Sequence, residues 1–557
     1  MKAIDVRHLH FSYTHSKKQA LRGLDLSVNP GDSVAIMGES GAGKSTLCLT
    51  LNGLIPQFQK GDFSGSVFIF GELSTKKKVY EWATTIGLLF QDFESQLFST
   101  NVELEVTFSL SNLGVPFEQA KQKTKEALFL VGLAEFENRD PATLSGGEKQ
   151  RLAIASILAV SPSILVLDEP TSDLDPLGKE EIFKITQTLK NNLTLLIVDH
   201  ETEEVLNCAK VVIMHQGKFI REGSPAEIFY HASLLKEFGI RPLDRIELFS
   251  RLGITERPAT DEETVEILIK NNFSISSSNL REIVKKDEKS YGEPIIEVRN
   301  VSYAYDGISA LENVSLTIRQ GEFVAIVGQN GSGKTTLVKH FNGLLKPKEG
   351  KVSIKGKDTK KERLVELARI VGYVFQNPDH QIFAETVKEE VSFAPRNFGL
   401  TEEEIRQRVA ESLRAVHLEG YENEDPFSLT KGERQRVAVA SVLSARPECL
   451  IFDEPTTGLD YKQTKDMMDL IKKLNDSGFT IIIVTHTMWV VSAYAHRMIL
   501  MKQGRILADG KTREIFRQRE LLQETSLKPP GVVNLSSQLG YTLLSLEEMT
   551  SVLKKSS

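Results

Sequence analysis

The chain has 557 residues, 40% of them apolar and 26% charged, the balance of a globular protein rather than of a disordered or fibrous one. Its formal net charge of −7 speaks against a general nucleic-acid binder, which carries a basic excess. The three cysteines, Cys48, Cys208 and Cys449, are too widely spaced for a CxxC zinc site or a disulfide framework, so a reducing, cytosolic setting is expected.

The N-terminal stretch MKAIDVRHLHFSY lacks the apolar core of a signal segment. In chain order, SVAIM at 33–37, ILVL at 164–167 and LLIV at 195–198 read as short strands, and FVAIV at 323–327, CLIF at 449–452 and IIIV at 481–484 repeat them. Longer helical stretches alternate with these runs, which predicts an α/β fold with a largely parallel core sheet. Each run is strand-length, far below the ~20 residues that span a bilayer. The chain is therefore not expected to cross a membrane by itself, which leaves a membrane partner open.

The repetition extends to the polar motifs. GESGAGKST at 38–46 returns as GQNGSGKTT at 328–336, and LLFQDFESQLF at 88–98 as YVFQNPDHQIF at 373–383. ILVLDEPTSDLD at 164–175 returns as CLIFDEPTTGLD at 449–460. The offset is 290 residues from Lys44 to Lys334, 285 from Asp168 to Asp453 and 286 from His200 to His486, so the register holds across the chemistry. The expected organisation is a first nucleotide-binding domain at 1–232, an appended helical unit at 233–270 and a short polar linker at 271–293, whose degree of order the sequence leaves open. A second domain at 294–519 and a second appended unit at 520–557 follow.

GxxxxGK[ST] between a strand and a helix is a phosphate-binding loop. One loop comprises Gly38, Glu39, Ser40, Gly41, Ala42, Gly43, Lys44, Ser45 and Thr46. The other comprises Gly328, Gln329, Asn330, Gly331, Ser332, Gly333, Lys334, Thr335 and Thr336. The glycines let backbone N–H groups converge on phosphates, and the helix N-terminus favours the same anion. Lys44 and Lys334 are placed to reach the outer phosphates of ATP, with Ser45 and Thr335 offering a hydroxyl to Mg²⁺. The strands ILVLDE and CLIFDE end in two acids. Asp168 and Asp453 are assigned to Mg²⁺, and Glu169 and Glu454 to polarising the attacking water.

The ordered set of P-loop, Gln, LSGGE, DEP, D-loop and His resembles the ATP-binding-cassette (ABC) ATPases in both halves. LSGGE at 144–148 is its most specific element. The resemblance implies two P-loop NTPase domains in tandem, each with a helical signature subdomain and a small C-terminal appendage. It implies intramolecular head-to-tail pairing, in which each ATP lies between the P-loop of one domain and the signature of the other. His200 and His486 would contact the γ-phosphate, and Gln91 and Gln376 would sense Mg²⁺ or the lytic water. Ser145, Gly146 and Gly147 would face the nucleotide of the second domain, and Thr430 and Gly432 that of the first. Tyr13 and Tyr305 are the expected adenine-stacking aromatics, with Phe11 and Tyr303 as rivals.

FQNPDHQIFAETVKEEVSFAPRNFGL at 375–400 resembles the Gln-loop region of energy-coupling-factor (ECF) transporter ATPases, which drive uptake of vitamins or of cobalt and nickel ions. The implied partners are integral membrane subunits, a transmembrane coupling component and a substrate-binding component, at the cytoplasmic face of the membrane. Leu97, Phe98, Ile382 and Phe383 would line a groove for a helix of such a subunit. The rival is a soluble twin-cassette ATPase acting on ribosomes. That class carries a long basic interdomain arm, whereas 271–293 is short and mixed in charge.

The second signature, LTKGE at 429–433, has Lys431 where the first has Gly146. A side chain there is expected to restrict the backbone and to add charge beside a nucleotide, either hindering closure or attracting phosphate. Because pairing is crossed, the change touches only the site built on Lys44. The other site should hydrolyse ATP faster, so Glu454→Gln should cost more steady-state ATPase activity than Glu169→Gln. Equal losses, or the reverse order, would count against this asymmetry.

Overall fold

The computed structural model describes every residue except His15, Lys17, Asp173, Asn191, Asn192, Ser556 and Ser557. The chain divides into two compact units, Met1–Glu247 with Asp460–Lys462, and Leu248–Leu459 with Gln463–Ser557.

In the first unit a six-stranded sheet runs in the order Lys218–Gly223, Lys210–His215, Ser33–Met37, Thr194–Val198, Ile164–Asp168, Ile86–Leu89. All its neighbours are parallel except the hairpin of the first two. The central strands are buried on both faces, which is why SVAIM and ILVL read as unbroken apolar runs. A four-stranded antiparallel sheet of Leu21–Val28, Ile4–Tyr13, Gly61–Ile69 and Glu72–Leu73 covers one side. Helices that include Val102–Asn112, Phe117–Leu130 and Gly146–Leu158 supply the other core.

The second unit repeats the plan. Its six strands run Val371–Val374, Cys449–Asp453, Thr480–Val484, Phe323–Val327, Arg497–Lys502, Arg505–Lys511. Its antiparallel sheet is built of Ile308–Arg319, Pro294–Tyr305, Glu349–Ile354 and Lys357–Asp358. The α/β tandem plan expected from the repeats is the observed one.

The stretch expected as a linker is different. Residues 273–275 pair antiparallel with 553–555, and helix Ser277–Lys286 packs on helix Leu546–Val552. Helix Asp261–Lys270 packs on Gly531–Gln538. Leu268 and Ile283 are buried in the same core as Leu535 and Met549. The Ser- and Lys-rich composition hides this, because Phe273, Ile275, Leu280 and Ile283 are few but fall on one side of successive short elements. From Leu248 onward, the first appended stretch and the expected linker form part of the second unit.

Arg513 ties this assembly together. It is 3% exposed and donates to Asp287 at 2.6 Å, to Glu548 at 2.7 and 2.9 Å and to the Thr542 carbonyl at 2.6 Å. Burial alone would push the guanidinium down, but the two carboxylates more than offset it and hold it above its ordinary value. Removing one member of such a buried network leaves its partners unpaired. Arg513→Ala is expected to destabilise the second unit by about 3 kcal/mol. The loss should be read as faster amide exchange in 273–275 and 553–555, and unchanged protection would refute it.

Candidate functional site

In each unit the phosphate loop leaves the central strand of the parallel sheet, Ser33–Met37 or Phe323–Val327, and runs into an eight-residue helix, Lys44–Leu51 or Lys334–Phe341. Gly43 and Gly333 cap these helices at φ of 104° and 98°, in the left-handed region. A Cβ on Gly43 would lie 2.5 Å from the Ala20 carbonyl oxygen, and one on Gly333 at 2.5 Å from that of Ala310. The glycines are therefore required by both conformation and space.

Lys44 is 3% exposed and folds back to donate to the carbonyls of Gly38 and Glu39, both at 2.9 Å. Lys334 does the same with Gly328 and Gln329 at 2.8 Å. Burial lowers the pKa of Lys44, and Glu169 and Asp168 oppose that shift.

The strands Ile164–Asp168 and Cys449–Asp453 deliver the acids. Burial, the largest cause, raises Asp168 to about 6 against the hydrogen bond of Ser45, which lowers it. Its Oδ1 is buried with no hydrogen-bond partner. A buried carboxylate with a free oxygen beside a serine hydroxyl fits a hard, oxygen-seeking divalent cation such as Mg²⁺. Asp453 is likewise raised by burial, with hydrogen bonds from Tyr373 and Thr335 acting against it.

The glutamates that follow stand in the left-handed region, Glu169 at φ 51° and Glu454 at 49°. For a residue with a Cβ this conformation costs about 1–3 kcal/mol and gathers at functional sites. Glu169 accepts from Gln91 Nε2 at 2.7 Å and contacts His200 Nε2 at 2.6 Å, so three of the residues singled out in sequence converge. Glu454 contacts His486 Nδ1 at 3.1 Å, but its Oε2 is buried without a partner; Gln376 is exposed, as is Gln91.

Ser145 caps helix Gly146–Leu158 in a capping box with Glu148, and Thr430 caps Lys431–Leu443 in the same way with Glu433. Gly146, Gly147, Lys431 and Gly432 all lie in the first turn. Neither Gly146 nor Lys431 has a positive φ, and nothing lies within 4 Å of a Cβ built on Gly146. The expectation that a side chain at 431 restricts the backbone is therefore corrected: a lysine fits a helical first turn without strain. What it adds is an ammonium against Gly458, where a Cβ would collide with it.

Phe11 is wholly buried, which removes it as a stacking surface. Tyr13 is partly exposed and its hydroxyl lies 3.1 Å from Thr46 Oγ1. Tyr305 is 43% exposed, edge-on to Tyr303, whose ring packs against His340. Ile382 is 3% exposed and belongs to the core, so it is no groove residue. Phe98 and Phe383, at 62% and 61%, are strongly exposed.

Two residues escaped the motif reading. Tyr373 donates to Asp453 Oδ2 at 2.6 Å, where the register-matched residue of the first unit is Leu88. Asp199 accepts from Thr171 at 3.0 Å and from the backbone of His200 and Glu201 at 2.6 and 2.8 Å, while its counterpart is Thr485. Position-by-position comparison of the two halves would have flagged both.

Fold and site define a P-loop nucleoside triphosphatase with two nucleotide-binding units. The sequence profile of the family described as ABC transporter matches residues 21–172 and 311–457. A protein of Caldanaerobacter subterraneus subsp. tengcongensis, named provisionally as an ABC transporter ATP-binding protein, is 51% identical over 564 residues, covering 100% of this chain and 99% of that one. A similarly named protein of Methanosarcina acetivorans is 38% identical over 99% of this chain and 94% of its own. The solved structure of cbiO1 from Clostridium perfringens, described as part of the ABC transporter complex cbiONQ, is 37% identical. It covers 45% of this chain and 100% of its own at a TM-score of 0.39. The chain belongs to the ABC transporter family as an ATP-binding, ATP-hydrolysing protein.

Tyr373→Phe removes the hydroxyl that holds Asp453. Assayed with Glu169→Gln, which on the role expected of Glu169 leaves turnover to the second unit, it is expected to lower ATP hydrolysis about tenfold, the worth of one charge-assisted hydrogen bond. Undiminished turnover would reduce Tyr373 to a packing residue.

Proposed function

We propose that this chain powers an ECF-type importer for a vitamin or a metal ion, peripheral to the cytoplasmic face of the membrane. The observation that carries the reading is a matched pair of exposed aromatics beside each Gln loop. Phe98 stands edge-on to Phe108 with centroids 4.6 Å apart, and Phe383 edge-on to Phe393 at 4.8 Å. In the first unit they border a cavity of about 520 Å³ whose lining includes Tyr80, Leu88, Leu97 and Leu113. Exposed large apolar side chains at equivalent places in both repeats suit an amphipathic helix from a membrane subunit. Among the described residues no helix is long and apolar enough to cross a membrane, so that partner would supply the membrane path.

In this reading Lys44 and Lys334 bind the outer phosphates, assisted by the loop N–H groups. Ser45, Asp168 and Gln91 would hold Mg²⁺ in one site, and Thr335, Asp453 and Gln376 in the other. When bound, Mg²⁺ would neutralise charge on the phosphates. Glu169 and Glu454 polarise the attacking water, and His200 and His486 leave their glutamates to meet the γ-phosphate. Ser145 to Gly147, and Thr430 with Gly432, complete the opposite sites. ATP then favours the closed pairing, and hydrolysis releases it.

Lys431 enters as a charge rather than as a strain, and the site it completes remains the slower one. Co-expression with integral membrane subunits should give a stable complex. Phe98→Asp with Phe383→Asp should abolish that complex while ATP binding persists. Salt-sensitive binding to ribosomes, with no membrane complex, would favour the translation-type rival.

A further inference from the structure

In the second unit a cavity of about 150 Å³ lies among the segment 287–291, helix Tyr461–Asp476, residues 492–496, Lys511 and the turn at 544–548. Its lining carries four cationic side chains, Lys289, Lys472, Lys511 and Arg513, and two acids, Asp287 and Glu548. Both acids are bound to Arg513, and Lys472 is paired with Asp476. Lys289 and Lys511 have no carboxylate within ion-pair distance among the described residues, so the lining holds an excess of positive charge.

His496 completes the set. Lys289 lies 3.0 Å from its Nε2, and an ammonium can only donate, so Nε2 accepts and the proton of the neutral ring sits on Nδ1. Nδ1 is buried and has no partner. Burial, with Lys289 and Lys472 nearby, holds His496 down at about 4, which keeps the ring neutral near pH 7. The cavity thus offers two ammonium groups with no carboxylate at ion-pair distance among the described residues, and its own carboxylates are already engaged by Arg513. Groups so arranged are complementary to a ligand that only accepts. The volume is about five waters' worth and falls below the ~300–1,000 Å³ of sites for larger organic ligands.

We propose that this cavity binds one small tetrahedral oxyanion of the phosphate class, held by Lys289 and Lys511 beside the His496 ring. The ATPase reaction itself releases such an ion. Bound there, it would join the segment between the two repeats to the second cassette, since Lys289 lies on that segment and His496 and Lys511 on the cassette.

The test uses the full chain labelled at histidine, with both nucleotide sites saturated by a non-hydrolysable ATP analogue so that the P-loops do not compete. Inorganic phosphate is titrated while the imidazole resonances are followed, with His496 assigned through His496→Gln. The expected result is a saturable shift of the His496 resonance, reproduced by sulfate and absent with chloride at matched ionic strength. Lys289→Gln with Lys511→Gln, both at exposed positions, should weaken the apparent affinity at least ~10-fold, as loss of two charge-assisted contacts requires. A resonance that does not move, that moves equally with chloride, or that responds unchanged in the double variant would overturn the assignment.

Discussion

An ammonium group buried beneath a glycine loop governs how each unit is built. Taking a lysine out of water costs several kcal/mol unless oxygen atoms surround it. Lys44 and Lys334 meet that cost with two loop carbonyls each, and Lys44 also with Glu169 and Asp168 at the end of a nearby strand. Those demands fix the rest. The loop must turn back on itself, which calls for left-handed glycines. The acids must end a strand that lies close to the loop, which calls for a parallel sheet with Thr194–Val198 or Thr480–Val484 between them. The same compression leaves Glu169 and Glu454 in strained backbone conformations, each in contact with a histidine just past the end of that intervening strand.

The duplicated plan then carries deliberate-looking inequalities at the points where charge is handled. Asp168 has a free buried oxygen, whereas Asp453 has its oxygens occupied by Tyr373 and Thr335. Glu169 is bound by Gln91, whereas Glu454 keeps an unpartnered oxygen. A buried Asp199 organises the turn around His200, where Thr485 accepts from the Thr487 backbone instead. None of these substitutions alters the strand order, so the two units share a fold while holding their protons and hydrogen bonds differently.

Most of the fold was legible, because short apolar runs separated by helical periods read directly as a parallel sheet, and the P-loop spacing dictates its own local conformation. Glu169 stood out from its strand motif, and Gln91 and His200 through the family resemblance, while their mutual contacts came only from the structure. What composition concealed was the segment 271–293. Its few apolar residues are spread over a strand and a helix of different period, and each element is stable only against the distant tail. Tyr373 was hidden for a related reason: a tyrosine in a buried strand looks like packing until its hydroxyl finds a partner 80 residues away. The lysine of the second signature was read as a backbone problem because glycine suggests special dihedrals, yet the first turn of a helix makes no such demand.

The pairing of Phe273–Ile275 with Leu553–Lys555 closes the second unit into a ring of chain, in which the middle of the polypeptide and its last strand are edge partners. The two halves are consequently not interchangeable modules on a string. A cut made between the apparent repeats would strand helices 261–270 and 277–286 on the wrong fragment, and the second cassette expressed from residue 294 would present an uncovered tail. During synthesis Phe273–Ile275 must wait for residues 553–555, about 280 positions later in the chain, before it can pair.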